Sequence, residues 1–151
     1  MIDINELRIG SYIGYYKNGF ENIIYDTIKS IYFNDEDEAY HFEFDKPNFV
    51  HSHLTKEGMT PVPITEGLLL KIGFIKEEDS ISHDFEFKKW IDGYPITVSD
   101  LSNTKDRNYY IHIDNRLYET ILGADIQYLH QLQNAIYLAT KQELDVSNIL
   151  K

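Results

Sequence analysis

The sequence predicts an α+β fold built mainly on antiparallel sheet, with one short central helix and one long C-terminal helix, and three observations predict it. Period-two alternation of apolar and polar residues recurs in short segments closed by turn dipeptides such as Asn18-Gly19 and Asp92-Gly93. A proline-led leucine run, Pro61-Val-Pro-Ile-Thr65 and then Leu68, Leu69 and Leu70, stands near the middle. Towards the C-terminus Ile126, Leu129, Leu132, Ile136 and Ala139 recur at spacings of three and four, the stripe of a helix that buries one face.

In chain order, Ser11-Tyr-Ile-Gly-Tyr-Tyr16 is a β-branched and aromatic run that meets a hairpin turn at Lys17-Asn-Gly19. Residues 23–33 alternate over a long strand, Asn34-Asp-Glu-Asp-Glu38 is a polar tip, and Tyr40-His-Phe-Glu-Phe44 returns as the second arm of a hairpin. Three strands with an early glycine suggest a strongly bent sheet of SH3-like barrel type. Residues 45–60 form a connector with Pro47 and one short strand near Phe49. Thr65 is placed to cap the short helix, Glu66 suits its first turn, and Gly73 suits a left-handed stop.

From Phe74 the strands return. Asp84-Phe-Glu-Phe-Lys88 and Tyr94-Pro-Ile-Thr-Val98 flank the Asp92-Gly93 turn, with Pro95 favouring an edge position. Asn108-Tyr-Tyr-Ile-His-Ile113 is a further strand, Asp114-Asn115 a turn, and residues 117–122 a strand or the approach to the final helix, for which Asp125 is the expected N-cap. That helix is expected over residues 128–144. The chain is read as a single domain, 1–151, with a strand-rich part at 1–60 and the helices and remaining strands at 61–151.

Composition bounds the function. The chain has 151 residues, 42% of them hydrophobic and 26% charged, which is the make-up of a folded domain with its own core. A formal net charge of -11 repels nucleic-acid phosphate and anionic membrane, so general nucleic-acid binding and membrane association are not expected. An acidic surface serves solubility first, and imitation of DNA charge is the lesser reading. With no cysteine the chain has no disulfide, zinc ribbon or thiol nucleophile. Neither a signal-peptide pattern nor an apolar run of about 18 residues occurs, so the expected location is the cytoplasm.

Three stretches carry a family resemblance: Asn5-Glu-Leu-Arg-Ile-Gly10, Pro61-Val-Pro-Ile-Thr-Glu-Gly-Leu-Leu-Leu-Lys-Ile-Gly-Phe74, and Tyr128-Leu-His-Gln-Leu-Gln-Asn134. In content and order they resemble a group of small uncharacterised proteins of Bacteroidetes and their phages or prophages. Gly67 stands where that group more often has a larger residue. The resemblance implies a phage-type accessory protein in the cytoplasm of a bacterial host, and brings no catalytic residue with it.

The candidate chemistry is sparse. His51-Ser-His53 has a spacing that metal sites use, with Asp35, Asp37 or Asp45 as further ligands, but a solvated connector is the favoured reading, so no metal or cofactor is assigned. The acidic run at 35–38 lacks the spaced carboxylates and glycine of a calcium loop and reads as a hairpin tip. Of His130, Gln131, Gln133 and Asn134, which read either as a pocket lining or as the wet side of an amphipathic helix, one or two are expected to tie the final helix to the sheet through side-chain-to-backbone bonds.

The cations are more informative. The chain has only three arginines, of which Arg107 and Arg116 flank the strand around Tyr109, while Lys88 and Trp90 lie on the hairpin before it. An anionic ligand requires guanidinium groups and stacking rings, and Lys88, Trp90, Tyr94, Arg107, Tyr109 and Arg116 are its candidate binding residues; surface ion pairs and a core tryptophan are the bland alternative.

No nucleophile elbow, phosphate loop, H-E-x-x-H or dinucleotide fingerprint marks an enzyme. The leading expectation is a non-enzymatic phage or prophage accessory protein that binds a host protein. The alternative is counter-defence by sequestering an anionic nucleotide-like small molecule, a host defence signal, at a site that a homo-oligomer interface would complete. The third is a metal-dependent hydrolase using His51 and His53.

Overall fold

The computed structural model describes residues 3–17, 22–36, 38–45, 58–78, 85–100, 109–115, 118–120 and 125–149. The architecture is α+β with antiparallel sheets, and the chain divides into two compact units, Met1–Val62 and Pro63–Lys151.

The first unit is a four-stranded sheet of β1 (Tyr12–Lys17), β2 (Asn22–Asn34), β3 (Ala39–Phe44) and β4 (Met59–Thr60), in the order β3-β2-β1-β4. β2 is long because it serves two partners. Its first half pairs with β1, Tyr12 opposite Thr27, and its second half with β3, Phe33 opposite Tyr40. A register shift between Ile28 and Ser30 leaves Lys29 as an extra residue, the bulge that bends a strand. Ile13, Tyr15, Ile28, Phe42, Phe44 and Met59 form the core, with Tyr15 stacked on Phe44 at 4.3 Å between ring centroids. Ile4, the first residue of a short 3-10 turn at Ile4–Glu6, and Leu7, which follows it, pack against it. The sheet is open: among the described residues no pairing joins β3 to β4, so the closure expected of an SH3-like barrel is not seen.

Among its described residues the second unit holds a six-stranded sheet, two α-helices and a 3-10 turn at Ser147–Ile149. α1 (Glu66–Lys71) starts as its sequence predicts, with the Thr65 hydroxyl accepting from the Leu68 amide at 3.1 Å, and it stops at Gly73, where φ is +89°. β5 (Ile75–Glu78), β6 (Phe85–Ile91), β7 (Tyr94–Asp100) and β8 (Tyr109–Asn115) follow as antiparallel neighbours. β9 (Tyr118–Thr120) and β10 (Asp125–Ile126) both line the other edge of β8. Asp92 and Gly93 take positive φ, 49° and 82°, the two-residue hairpin turn that matches strand twist.

Several expectations are corrected. Pro95 lies in a central strand, not an edge, because it pairs with Trp90 one step past the turn-closing pair Ile91 and Tyr94, whereas the β8 ladder begins only at Ile96. In that non-hydrogen-bonded pair the nitrogen of residue 95 faces away from β6, so the missing N–H removes no ladder bond. Asp114 and Asn115 belong to β8 and not to a turn.

α2 spans Leu129–Thr140 and ends short of the predicted residue 144, because Lys141 turns left-handed at φ +60° and the Thr140 hydroxyl donates back to the Ile136 carbonyl at 2.8 Å. Leu144 and Val146 are nevertheless buried, from the extended segment after the helix. Asp125 sits in β10, and Tyr128 takes the N-cap position; Gln131 closes the helix start by accepting from the Gln127 and Tyr128 amides at 2.9 and 3.1 Å. This is a local cap three and four residues back along the chain, which differs from the tie to the sheet expected of the polar cluster. Among the described residues no helix is long and apolar enough to cross a membrane.

Candidate functional site

Register alone sorts the second unit's sheet into two faces, since directly opposed residues of an antiparallel pair point the same way. One face carries Phe87, Ile96, Val98, Tyr109, Ile111 and Ile113, all buried, on the side where α2 packs on β8 with Leu129, Leu132 and Ile136. The opposite face is built in cross-strand rows. Trp90 stands opposite Pro95; Ile75, Lys88, Thr97 and His112 form the next row; Glu77, Glu86, Ser99 and Tyr110 form the third. Adjacent rows lie about 7 Å apart, two strand residues.

This outer face is half-covered in its middle and bare at its β5–β6 side. Trp90 is 63% exposed and Ile75 is 66% exposed, diagonal neighbours on one surface. Lys88 reaches across to Glu77 at 2.9 Å and Glu86 at 3.1 Å, and its pKa is raised, chiefly by the hydrogen bond to Glu77 and then by that to Glu86. Two carboxylates thus surround the ammonium that an anion would need. His112 Nε2, in the middle row, and Asp100 Oδ1, on the inner face, are buried with no hydrogen bond among the described residues.

The six candidate ligand residues are therefore divided. Lys88 and Trp90 share the outer face, whereas Tyr94 and Tyr109 belong to the inner one, Tyr109 as a core residue at 1% exposure. Arg107 and Arg116, like His51, His53, Pro47, Phe49 and Asp37, lie outside the described residues. Among the described residues no group of three or more His, Asp or Glu is placed to hold a metal.

Lys89 is not among the candidate residues, yet its ammonium donates to the Ile72 carbonyl at the end of α1 and lies 5.9 Å from the centre of the Phe74 ring. Burial lowers its pKa, with Asp145 acting the other way. In the sequence Lys89 is one more charged residue of an alternating strand; in the structure it caps the end of α1. Of the polar cluster in α2, His130 and Gln133 are buried, with Tyr128 stacked on His130 at 5.9 Å.

The first unit also holds buried polar side chains, Ser11, Asp26 and His41. They do not assemble a nucleophile and base. Asp26 faces Ile13 on the core side, while His41 is opposite Tyr32, six residues further along β2, roughly 20 Å of extended strand. The Asp26 carboxylate accepts instead from the Thr27 amide at 2.8 Å.

No family model matches the chain, and no curated protein and no solved structure is significantly similar to it.

Proposed function

We propose that the protein works by binding and not by catalysis, as a phage or prophage accessory protein whose partner is a protein of the bacterial host cytoplasm. The observation that carries this reading is the outer face of the second sheet, where Trp90 and Ile75 stand exposed beside Pro95. Tryptophan is the residue type most over-represented among those that dominate protein–protein affinity, and a core-sized indole left in water on a folded sheet is a liability unless something covers it. Folded protein used as bait in bacterial lysate should retain one host protein repeatedly. Trp90→Ala, at a side chain that is 63% exposed, should release it; a bait in excess that returns nothing sinks the reading.

A second reading is supported by the presence of Lys88 and Trp90 on that same face, two residues apart on β6: an anionic nucleotide-like molecule, stacked on the indole and held by Arg107 and Arg116, which bracket β8 in the sequence. Trp90 is the chain's single tryptophan, so its fluorescence reports directly on such a ligand. A nucleotide panel in which no compound quenches the indole or raises the melting temperature ends this alternative.

A further inference from the structure

The β2–β3 hairpin carries a second exposed aromatic surface, in the other unit. Beyond the bulge at Lys29, Ile31 pairs with Phe42 and Phe33 with Tyr40 on the face that continues from the core. Phe42 is 1% exposed, whereas Phe33 and Tyr40, one step further out, are 50% and 46% exposed, edge to face at 5.2 Å. The opposite face ends likewise in Tyr32, 46% exposed, lying over His41 at 5.2 Å. The apolar stripe of the core thus runs out along an arm and stops in water, with aromatic rings on both sides.

Charge restricts what fits there. From Ser30 to Glu43 the arm has five carboxylates, at 35, 36, 37, 38 and 43, and no lysine or arginine. Asp35, Glu36 and Glu38 are exposed at the tip, directly beyond the Phe33–Tyr40 pair. A second copy would bring like charge against like, in a chain whose net charge is already -11, and nucleic acid or an anionic membrane is repelled in the same way. We infer that the β2–β3 arm is a docking finger for a protein partner that presents an apolar cleft edged by lysine or arginine, with Phe33 and Tyr40 seated in the cleft and the acidic tip against its rim. Aromatic anchors supply the affinity in such a contact, and the charges mainly steer and orient it. This goes beyond the proposal for the Trp90 face, since it concerns a different unit and commits to the partner's chemistry.

The test is selection of a random-peptide display library on the immobilised full chain. Enriched peptides should combine apolar anchors with a net positive charge. Phe33→Ser and Tyr40→Ser should each weaken binding of a synthesised winner about tenfold, while Leu138→Ser, at an exposed position of α2 in the other unit, leaves it unchanged. The paired charge variant Asp35→Asn with Glu36→Gln keeps the rings and alters only two exposed side chains; it should weaken binding and flatten the salt dependence. Enrichment of neutral or acidic peptides, no enrichment, or basic peptides indifferent to all three arm variants would overturn the inference. So would self-association that Phe33→Ser abolishes, which would make a second copy the occupant.

Discussion

Gly14 lies directly opposite Thr60 on β1 and β4, and a Cβ on Gly14 would stand 2.6 Å from the Thr60 methyl group. The same atom would meet Ile23 and Tyr25 at 2.9 Å each, so three side chains close over a position that only hydrogen can occupy. A threonine methyl on a stiff β-branched side chain cannot rotate away freely. Gly14→Ala should therefore destabilise the protein by about 1–3 kcal/mol, the usual range for overpacking. Thr60→Ser, which removes the nearest methyl, should recover part of the loss in the double variant. Urea denaturation followed by circular dichroism checks both, and an unchanged midpoint for Gly14→Ala would contradict the packing described.

Much of this fold was legible residue by residue, and the failures have physical reasons. β2, the Thr65 cap and the Asp92-Gly93 turn are local: alternation, a capping hydroxyl and two residues that tolerate positive φ determine them without reference to the rest of the chain. The end of α2 was not legible, because a helix-forming run through Lys141-Gln-Glu143 is stopped by one left-handed residue, and burial of Leu144 by tertiary packing mimics a longer stripe. Ile126 fits the helical spacing yet is buried from β10. The candidate site fared worse for a geometric reason. Trp90 and Tyr94 flank a two-residue turn and look adjacent in sequence, but Trp90 opposes Pro95, so Tyr94 falls on the other face.

Lys89 gives the second unit a pH response of definite sign. Its lowered pKa means that the folded chain binds fewer protons than the unfolded one between that pKa and the ordinary lysine value of 10.5. Stability should accordingly rise with pH across this window and level off above it. Lys89→Ala should flatten the rise and, by removing the bond to the Ile72 carbonyl and the packing of the stem, lower stability at neutral pH by about 1–2 kcal/mol. Thermal midpoints at closely spaced pH values for both proteins check the prediction; an unchanged slope in the variant would assign the rise to another group.

Tyr12 works in the opposite direction in the first unit. Burial first, then Asp26 and Tyr25, push its pKa from 10.0 to about 12. The folded state therefore holds a proton that the unfolded state has released. The contribution is fully present below pH 10 and is lost as pH rises towards about 12. Tyr12→Phe should make the alkaline decline shallower. It should not abolish it, because Tyr15 is raised too, again by burial and then by Asp26. Asp26→Asn should bring tyrosinate absorbance to lower pH by acting on both rings, and a titration indifferent to Asp26 would place the source of the shift elsewhere.

Two glycines in one short segment should respond to the same substitution with opposite signs. Gly67 lies within α1, its φ is unexceptional, and a Cβ there would meet nothing within 4 Å. Alanine at that position restricts the unfolded chain and favours the helix without touching a neighbour, so Gly67→Ala should stabilise by about 0.5–1 kcal/mol. Gly73, just after the helix, has φ +89°, and a Cβ there meets only the flexible end of Lys89 at 3.5 Å. Space is available but the backbone conformation is not, so Gly73→Ala should destabilise by about 1–2 kcal/mol. Chemical denaturation of the two variants measures the contrast directly. Equal signs would mean that α1 does not end at Gly73 in the left-handed conformation, and with it would fall the position of the Ile72 carbonyl that Lys89 caps.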